Sequence, residues 1–137
     1  MSFVLDSSVT LSWYFDDEAT ALTDALFDQV PDQGAVVPSL WRLEVANGFQ
    51  MAVRRKRIDT AYRDASLKAL ETLPIEVDAE TDTHAWRTTV QLADRFRLTV
   101  YDAVYLELAQ RRAMPLATLD REVRAAARAL GVALLGR

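Results

Sequence analysis

The stretch FVLDSSV, residues 3–9, places an acidic residue directly after an apolar run near the start of the chain. Residues 3–5 favour a short buried strand, and a helical pattern follows at 9–15. Asp6 lies between them, where two interpretations are open. An aspartate before a helix is a good N-cap, worth ~1 kcal/mol. A carboxylate at the end of a buried strand can instead bind a divalent cation.

The rest of the chain repeats this alternation of short apolar strands and longer amphipathic helices. Further strands are predicted at 35–37, 75–77 and 115–119, and a last one could follow at 132–135. Helices are predicted at 9–15, 18–30, 40–55, 59–73, 82–96, 101–113 and 120–130. The pattern predicts an α/β fold, a three-layer sandwich with a short, mostly parallel central sheet flanked by helices. With 137 residues, the chain is expected to form one domain, 1–137.

Several helix ends and faces can also be predicted. Pro31 and Gly34 are expected to close the helix at 18–30, and Ser39 to cap the helix at 40–55. Within that second helix, the spacing of Leu40, Leu43 and Ala46 suggests the buried side.

The composition is that of an ordinary globular protein, with 50% apolar residues and a net charge of −4. The absence of cysteine excludes disulfides and thiolate metal sites. No apolar run approaches the ~20 residues that a membrane span needs. Asp6 comes too early for a secretory signal. We therefore expect a cytoplasmic protein without a membrane partner.

Three more acids share the apolar setting of Asp6. Asp120 ends the fourth strand in LATLDREV, Asp102 lies in TVYDAVYLELA, and Glu44 lies in LWRLEVANGF, three residues before Asn47. Taken singly, each aspartate could be a helix cap and Glu44 a solvated residue. Four carboxylates in apolar sequence are costly unless they are paired. Ligands of parallel sheets bind beyond the carboxyl ends of the strands, where a divalent cation would neutralise these acids.

The order Asp, Glu–x–x–Asn, Asp–Ala–x–Tyr–Leu, Thr–x–Asp resembles the PIN-domain ribonucleases, and among them the VapC toxins of toxin–antitoxin pairs. The matching stretches are VLDSSV, SLWRLEVANGF, YDAVYLELA and ATLDREV. The resemblance implies that Asp6, Glu44, Asp102 and Asp120 are catalytic and hold Mg²⁺ or Mn²⁺. It further implies that the side chains orienting a carboxylate or a phosphate are Thr118, Ser8 and Asn47. Many relatives carry one more acid after the last, for which Glu122 is only a weak candidate.

The resemblance implies a metal-dependent endoribonuclease that hydrolyses RNA phosphodiester bonds through an activated water. It also implies a homodimer and a cognate antitoxin whose C-terminal segment covers the acidic pocket. A non-catalytic PIN-like module that binds RNA or protein remains the alternative. A receiver-type phosphoacceptor would need paired acids beside Asp6, and a haloacid-dehalogenase-like phosphatase would need an aspartate in place of Ser8.

Basic residues are candidates for RNA contacts. Without the four candidate ligands, the remaining acids balance the 16 basic residues. The candidates for binding RNA phosphates are Arg54, Arg55, Arg57, Arg121 and Arg124, with Arg128 on the same helix face as the last two. Favourable charge at a helix C-terminus is the alternative explanation for the first group. The single histidine, His84, is expected to be structural. Most of the aromatic residues, among which are Trp41 and Trp86, are expected in the core, and any exposed ones would suggest an interface.

Overall fold

The computed structural model describes residues 2–137 and contains a five-stranded sheet. The strands are β1 (Val4–Leu5), β2 (Ala35–Val37), β3 (Ile75–Val77), β4 (Leu116–Ala117) and β5 (Leu134–Leu135). Their order across the sheet is β3-β2-β1-β4-β5, and all four pairings are parallel. The α/β prediction is confirmed, and the sheet is wholly rather than mostly parallel.

Eight α-helices surround this sheet within the described residues. They are α1 (Ser7–Ser12), α2 (Ala21–Gln33), α3 (Trp41–Arg54), α4 (Thr60–Glu71), α5 (Thr81–His84), α6 (Val90–Phe96), α7 (Val100–Arg112) and α8 (Arg121–Leu130). Strands β1, β2 and β4 are buried along their whole length. This explains their unbroken apolar sequence, because helices cover both faces of a parallel sheet.

The central strands place the ends of β1 and β4 side by side. Val4 pairs with Leu116 and Leu5 pairs with Ala117. The residues that follow these strands, Asp6 and Thr118, therefore emerge next to each other at the same edge of the sheet. Helix α7 packs against both strands and is buried without interruption from Ala103 to Ala109.

Some helix ends differ from the sequence prediction. Helix α2 runs through Pro31 to Gln33 and ends at Gly34, whose φ of 71° lies in the left-handed region that glycine tolerates. Ser39 does not cap α3, because the N-cap position is Leu40 and makes no side-chain capping bond. The backbone N–H of Ser39 instead donates to Thr81 Oγ1 at 3.2 Å.

The buried side of α3 was also predicted wrongly. Leu43 is 75% exposed. The residues that α3 buries are Trp41, Val45, Phe49 and Ala52. Their spacing of three and four is helical, but they lie on a face next to the predicted one. Packing against α1 and α4 selects this face.

The segment predicted as one helix at 82–96 is interrupted. A π-helical turn, Ala85–Thr89, separates α5 from α6. Trp86 lies in this turn and is 93% exposed, so it is an exception among the aromatic residues, most of which were expected in the core. Trp41 is buried as expected, and its indole N–H donates to Thr10 Oγ1 at 3.0 Å. No helix within residues 2–137 combines the length and apolar character needed to cross a membrane.

A buried ion-pair network fixes α7 relative to the end of β3. Arg111 donates to Asp78 Oδ2 at 2.6 Å and to Glu107 Oε2 at 2.8 Å. Both carboxylates are only 3% exposed. Burial alone would raise the pKa of Asp78, but hydrogen bonds from Arg111 and Thr81 bring that pKa below its ordinary value.

Replacing Arg111 with Met should destabilise the fold by ~3–5 kcal/mol, because it leaves two buried carboxylates without their cation. The free energy of unfolding measured in urea tests this. The matched control is Arg63→Met, since Arg63 lies outside the network and pairs with the exposed Asp64, and such a pair is worth only ~0–1 kcal/mol. Equal losses in the two variants would contradict the network.

The same network predicts how stability responds to acid. The pKa of Asp78 is lower in the folded protein than its unfolded value of 3.8. Its contribution is therefore fully present above that unfolded value and is lost as the pH falls through the folded pKa. Urea titrations from pH 6 down to pH 3 should show wild-type stability falling towards that of Arg111→Met. A constant gap between the two proteins would contradict the assignment.

Candidate active site

Asp6 is held at the sheet edge by hydroxyl groups and not by a helix terminus. It occupies the N-cap position of α1, yet its side chain makes no capping bond. Oδ2 accepts hydrogen bonds from Ser8 Oγ at 2.8 Å and from Thr118 Oγ1 at 2.6 Å, and Oδ1 accepts one from Ser7 Oγ at 3.3 Å. Asp6 is only 6% exposed. The sequence left two interpretations of Asp6 open, a helix cap or a cation ligand. The structure excludes the first, because the side chain does not cap α1.

Thr118 joins Asp6 to the second strand-end acid, Asp120. Its hydroxyl donates to Asp6 and accepts from the backbone N–H of Asp120 at 3.1 Å. Ser8 adds a parallel link, because its hydroxyl accepts from the backbone N–H of Leu119 at 3.0 Å. These bonds lock the start of α1 to the end of β4. Two residues expected to orient a carboxylate, Ser8 and Thr118, thus contact Asp6 directly.

The other two aspartates differ in their local roles. Asp120 does cap its helix, since its Oδ1 accepts from the backbone N–H of Val123 at 2.9 Å. Its Oδ2 remains available. Asp102 is not a cap, because Thr99 holds the N-cap position of α7 and accepts from the backbone N–H of Asp102. Asp102 is partly exposed at the start of α7.

Glu44 approaches the site from α3. Its Oε1 accepts hydrogen bonds from the hydroxyl of Tyr105 and from Ser7 Oγ, the latter at 3.4 Å. Tyr105 lies on α7 and is 1% exposed. The role of Tyr105 was missed in the sequence, although it lies three residues after Asp102 on the same helix, a spacing that puts both on one face. Asn47 is exposed on α3 and has no hydrogen bond to the four acids.

Burial and neighbouring carboxylates raise the pKa of Asp6, Glu44 and Asp102. Burial raises the pKa of Asp6 and outweighs the hydrogen bonds from Thr118 and Ser8, and the charge of Asp120 raises it further. For Glu44, burial and the charges of Asp6 and Asp102 raise the pKa, opposed by the Tyr105 bond. Burial and the charges of Asp120 and Asp6 also raise the pKa of Asp102. The four acids therefore share one field of negative charge.

The donor set suits a hard divalent cation. Every candidate ligand is a carboxylate oxygen, and none of the four acids has an ion pair with a lysine, arginine or histidine within residues 2–137. In the same part of the chain, no three acidic or histidine side chains are close enough to enclose one ion. Mg²⁺ typically takes one or two carboxylates and completes its shell with water and phosphate oxygens, so a closed protein cage is not required.

The arginines predicted to contact RNA differ in their surroundings and in how far they are available to a ligand. Arg57 donates to Asp17 at 3.0 Å and stacks on Phe15. Arg124 is 6% exposed, and backbone carbonyls occupy its guanidinium group. Arg54 and Arg55 are exposed at the end of α3, and Arg121 is exposed at the start of α8.

His84 takes no part in the site. It is half-buried, lies 3.9 Å from Glu80, and makes no hydrogen bond through Nε2.

Known structures share this fold. The chain resembles the crystal structure of PAE2754 from Pyrobaculum aerophilum, with a TM-score of 0.70 and 22% identity over 98% of this chain and 83% of that one. It also resembles VapBC2 from Rickettsia felis bound to a DNA fragment from their promoter, with a TM-score of 0.64 and 11% identity over 98% of this chain and 97% of that one. At such low identities these likenesses show the fold alone. No curated protein matches the sequence significantly.

The family assignment comes from the sequence itself. The model of the PIN domain matches residues 3–129, a span that begins before Asp6 and ends after Asp120, so all four acids lie inside it. The chain belongs to the PIN-domain family.

Proposed function

We propose that this protein is a metal-dependent endoribonuclease and acts as the toxin of a toxin–antitoxin pair. The observation that carries the proposal is the environment of Asp6: a buried carboxylate, held by three hydroxyl groups, with no basic partner. A buried charge without a partner is costly. Membership of the PIN-domain family and the three neighbouring acids support the same conclusion.

The residues that would hold the cation are Asp6 and Asp102, with Asp120 and Glu44 contributing directly or through water. The cation, when bound, supplies positive charge that activates a water and stabilises the leaving oxygen of the phosphodiester. Ser8 and Thr118 fix the orientation of the Asp6 carboxylate. Tyr105 occupies Glu44 Oε1, which leaves Oε2 as the atom able to accept a proton.

The partners proposed for this protein are an RNA substrate, a cognate antitoxin and a second copy of the chain. Similarity to the R. felis VapBC2 structure supports the antitoxin. Large exposed apolar side chains support a protein interface, and Trp86 is the most exposed of them at 93%, with Val90 four residues further at 43%. The cleaved RNA is proposed to be single-stranded, since unstacked bases are the usual target of RNA recognition.

The decisive experiment compares cleavage of total cellular RNA by the wild-type protein and Asp6→Asn. We expect discrete fragments with Mg²⁺ or Mn²⁺ and none with EDTA. The variant should lose more than about 100-fold in rate, exceeding the 10–100-fold typical of groups that only orient a metal ligand. The control is Asp16→Asn, an exposed aspartate that should cleave normally. A folded, inhibitor-free wild type that cleaves nothing with any metal would favour the non-catalytic binding module.

Thermal stability gives a second readout for Asp6. Its pKa is raised above the unfolded value of 3.8, so the ionised form costs stability once the pH exceeds the folded pKa. The asparagine that replaces it is neutral and keeps an oxygen facing Ser8 and Thr118. At pH 7 in EDTA, Asp6→Asn should therefore have a higher Tm than the wild type.

Added Mg²⁺ should reverse this ranking. Ligand binding raises the Tm of the protein that binds, so Mg²⁺ should stabilise the wild type and leave Asp6→Asn almost unchanged. Differential scanning fluorimetry measures both effects. Equal stabilisation of the two proteins by Mg²⁺ would contradict a cation site at Asp6.

Tyr105→Phe tests the role of Glu44. The hydrogen bond from Tyr105 lowers the pKa of Glu44, so its loss should raise that pKa and move the acidic limb of the kcat profile to higher pH. A hydrogen bond to a charged group is worth ~1.5–3 kcal/mol, which predicts a loss of about tenfold or more in kcat on the acidic limb and little change on its plateau. Tyr62→Phe is the control, because Tyr62 donates to the backbone oxygen of Tyr14 instead. If the pH profile of kcat in Tyr105→Phe is not shifted, Glu44 is not the group whose titration limits the reaction.

A further inference from the structure

Helix α8 presents a row of arginines beside the acidic site. Arg121, Arg124 and Arg128 are spaced by three and four residues, which places them on one helix face. Together with Ala125 and with Arg137 from the C-terminal segment, they line a cavity of about 500 Å³. This volume lies within the range of small-ligand clefts.

These four arginines have no acidic partner within residues 2–137. Other arginines of the chain do: Arg57 pairs with Asp17, Arg111 with Asp78, and Arg112 with Glu76. The cavity therefore concentrates the positive charge of four side chains that no aspartate or glutamate within residues 2–137 neutralises. Burial lowers the pKa of Arg124, and repulsion from Arg128 and Arg137 lowers it further.

Arg124 forms the base of this cavity. Its guanidinium donates to the backbone oxygens of Thr118 at 2.8 Å, Leu135 at 3.0 Å and Arg137 at 3.2 Å. Arg124 adds a positive charge to the cavity. Its N–H groups are used in hydrogen bonds that connect the end of β4 with the C-terminal segment. Arg121 and Arg128 are exposed, and their guanidinium groups are the ones available to an incoming anion.

The start of α8 and Thr118 connect the cavity with the candidate active site. Arg121 directly follows Asp120, and Arg124 binds the carbonyl of Thr118, whose hydroxyl binds Asp6. Glu122 raises the pKa of Asp102, so it lies on the acidic side of α8. A strand that presents one phosphodiester to Asp6 and Asp120 therefore has a neighbouring part of its backbone within reach of Arg121.

We propose that Arg121, Arg128 and Arg137 form a subsite for a backbone phosphate of single-stranded RNA, next to the phosphodiester that is cleaved. This inference rests on the proposed function, because the ribonuclease supplies the substrate. Guanidinium groups bind phosphate oxygens in a two-pronged geometry. Such contacts give affinity and salt dependence but no choice of sequence. The adjacency to Asp120 favours a phosphodiester strand over an acidic peptide as the occupant.

The test measures RNA binding separately from cleavage. In the Asp6→Asn background, we would titrate a labelled single-stranded RNA of mixed sequence at several salt concentrations, with and without Arg121→Gln and Arg128→Gln together. Each phosphate contact to a single strand contributes about 0.7 to the slope of log K against log salt. Loss of this one phosphate contact should reduce the magnitude of the negative slope by about 0.7 and weaken binding several-fold.

Two matched variants make the result specific. Arg42→Gln with Lys68→Gln removes the same charge from exposed residues of α3 and α4 and should leave the slope unchanged. Arg121→Lys with Arg128→Lys keeps the charge and should restore most of the slope while losing part of the affinity. With Asp6 intact, the Gln pair should raise KM for RNA and change kcat by less than about twofold.

Several outcomes would overturn the subsite. They are no RNA binding, an unchanged slope in the Gln pair, or an equal loss in the Arg42 and Lys68 control. Another is that a labelled glutamate-rich peptide binds the protein with native arginines but not the Gln pair, while RNA binds both equally. That result would make the cavity a protein docking site. Failure of the proposed function is distinguishable, because it is judged from cleavage by the protein with wild-type Asp6 and native Arg121 and Arg128.

Discussion

Asp6 is buried without a counter-ion, and the arrangement of the whole site follows from that burial. A carboxylate that is 6% exposed needs compensation, and here three hydroxyl groups supply it from Ser7, Ser8 and Thr118. Those bonds stabilise the charge only in part, since burial still raises the pKa of Asp6. The remaining cost is the reason why a bound cation would stabilise this edge of the sheet.

The geometry of the sheet turns this local arrangement into a site. Parallel pairing of β1 with β4 brings Asp6 beside Thr118, although the two are 112 residues apart in sequence. Helix α7 then brings Asp102 to the acids and Tyr105 to Glu44. The Arg111 network holds the other end of α7 through Asp78 and Glu107. The candidate site and the buried ion-pair network thus share one helix but use opposite ends of it.

Charge is divided across α8 in a way that suits a polyanionic substrate. Asp120 and Glu122 are close enough to Asp102 for their charges to raise its pKa. Arg121 and Arg128 instead line a cavity and have no acidic side-chain partner within residues 2–137. An acidic metal site by itself repels a phosphodiester strand. A basic cavity on the helix that follows Asp120 would offset that repulsion, although the overall charge of the chain is −4.

The alternation of strands and helices and the parallel sheet could be predicted from the sequence, because they depend on local apolar pattern. The choice of four acids as candidate ligands depends on residue order and stays a prediction. Whether Asp6 caps a helix or points into the site could not be predicted, since that depends on hydroxyls from α1 and from the end of β4. Nothing in the sequence indicated that Tyr105 binds Glu44, that Leu43 faces outward, or that Arg124 is buried on backbone carbonyls. Tertiary packing decided these points, because each requires groups that are distant in sequence or a choice between helix faces of similar hydrophobicity.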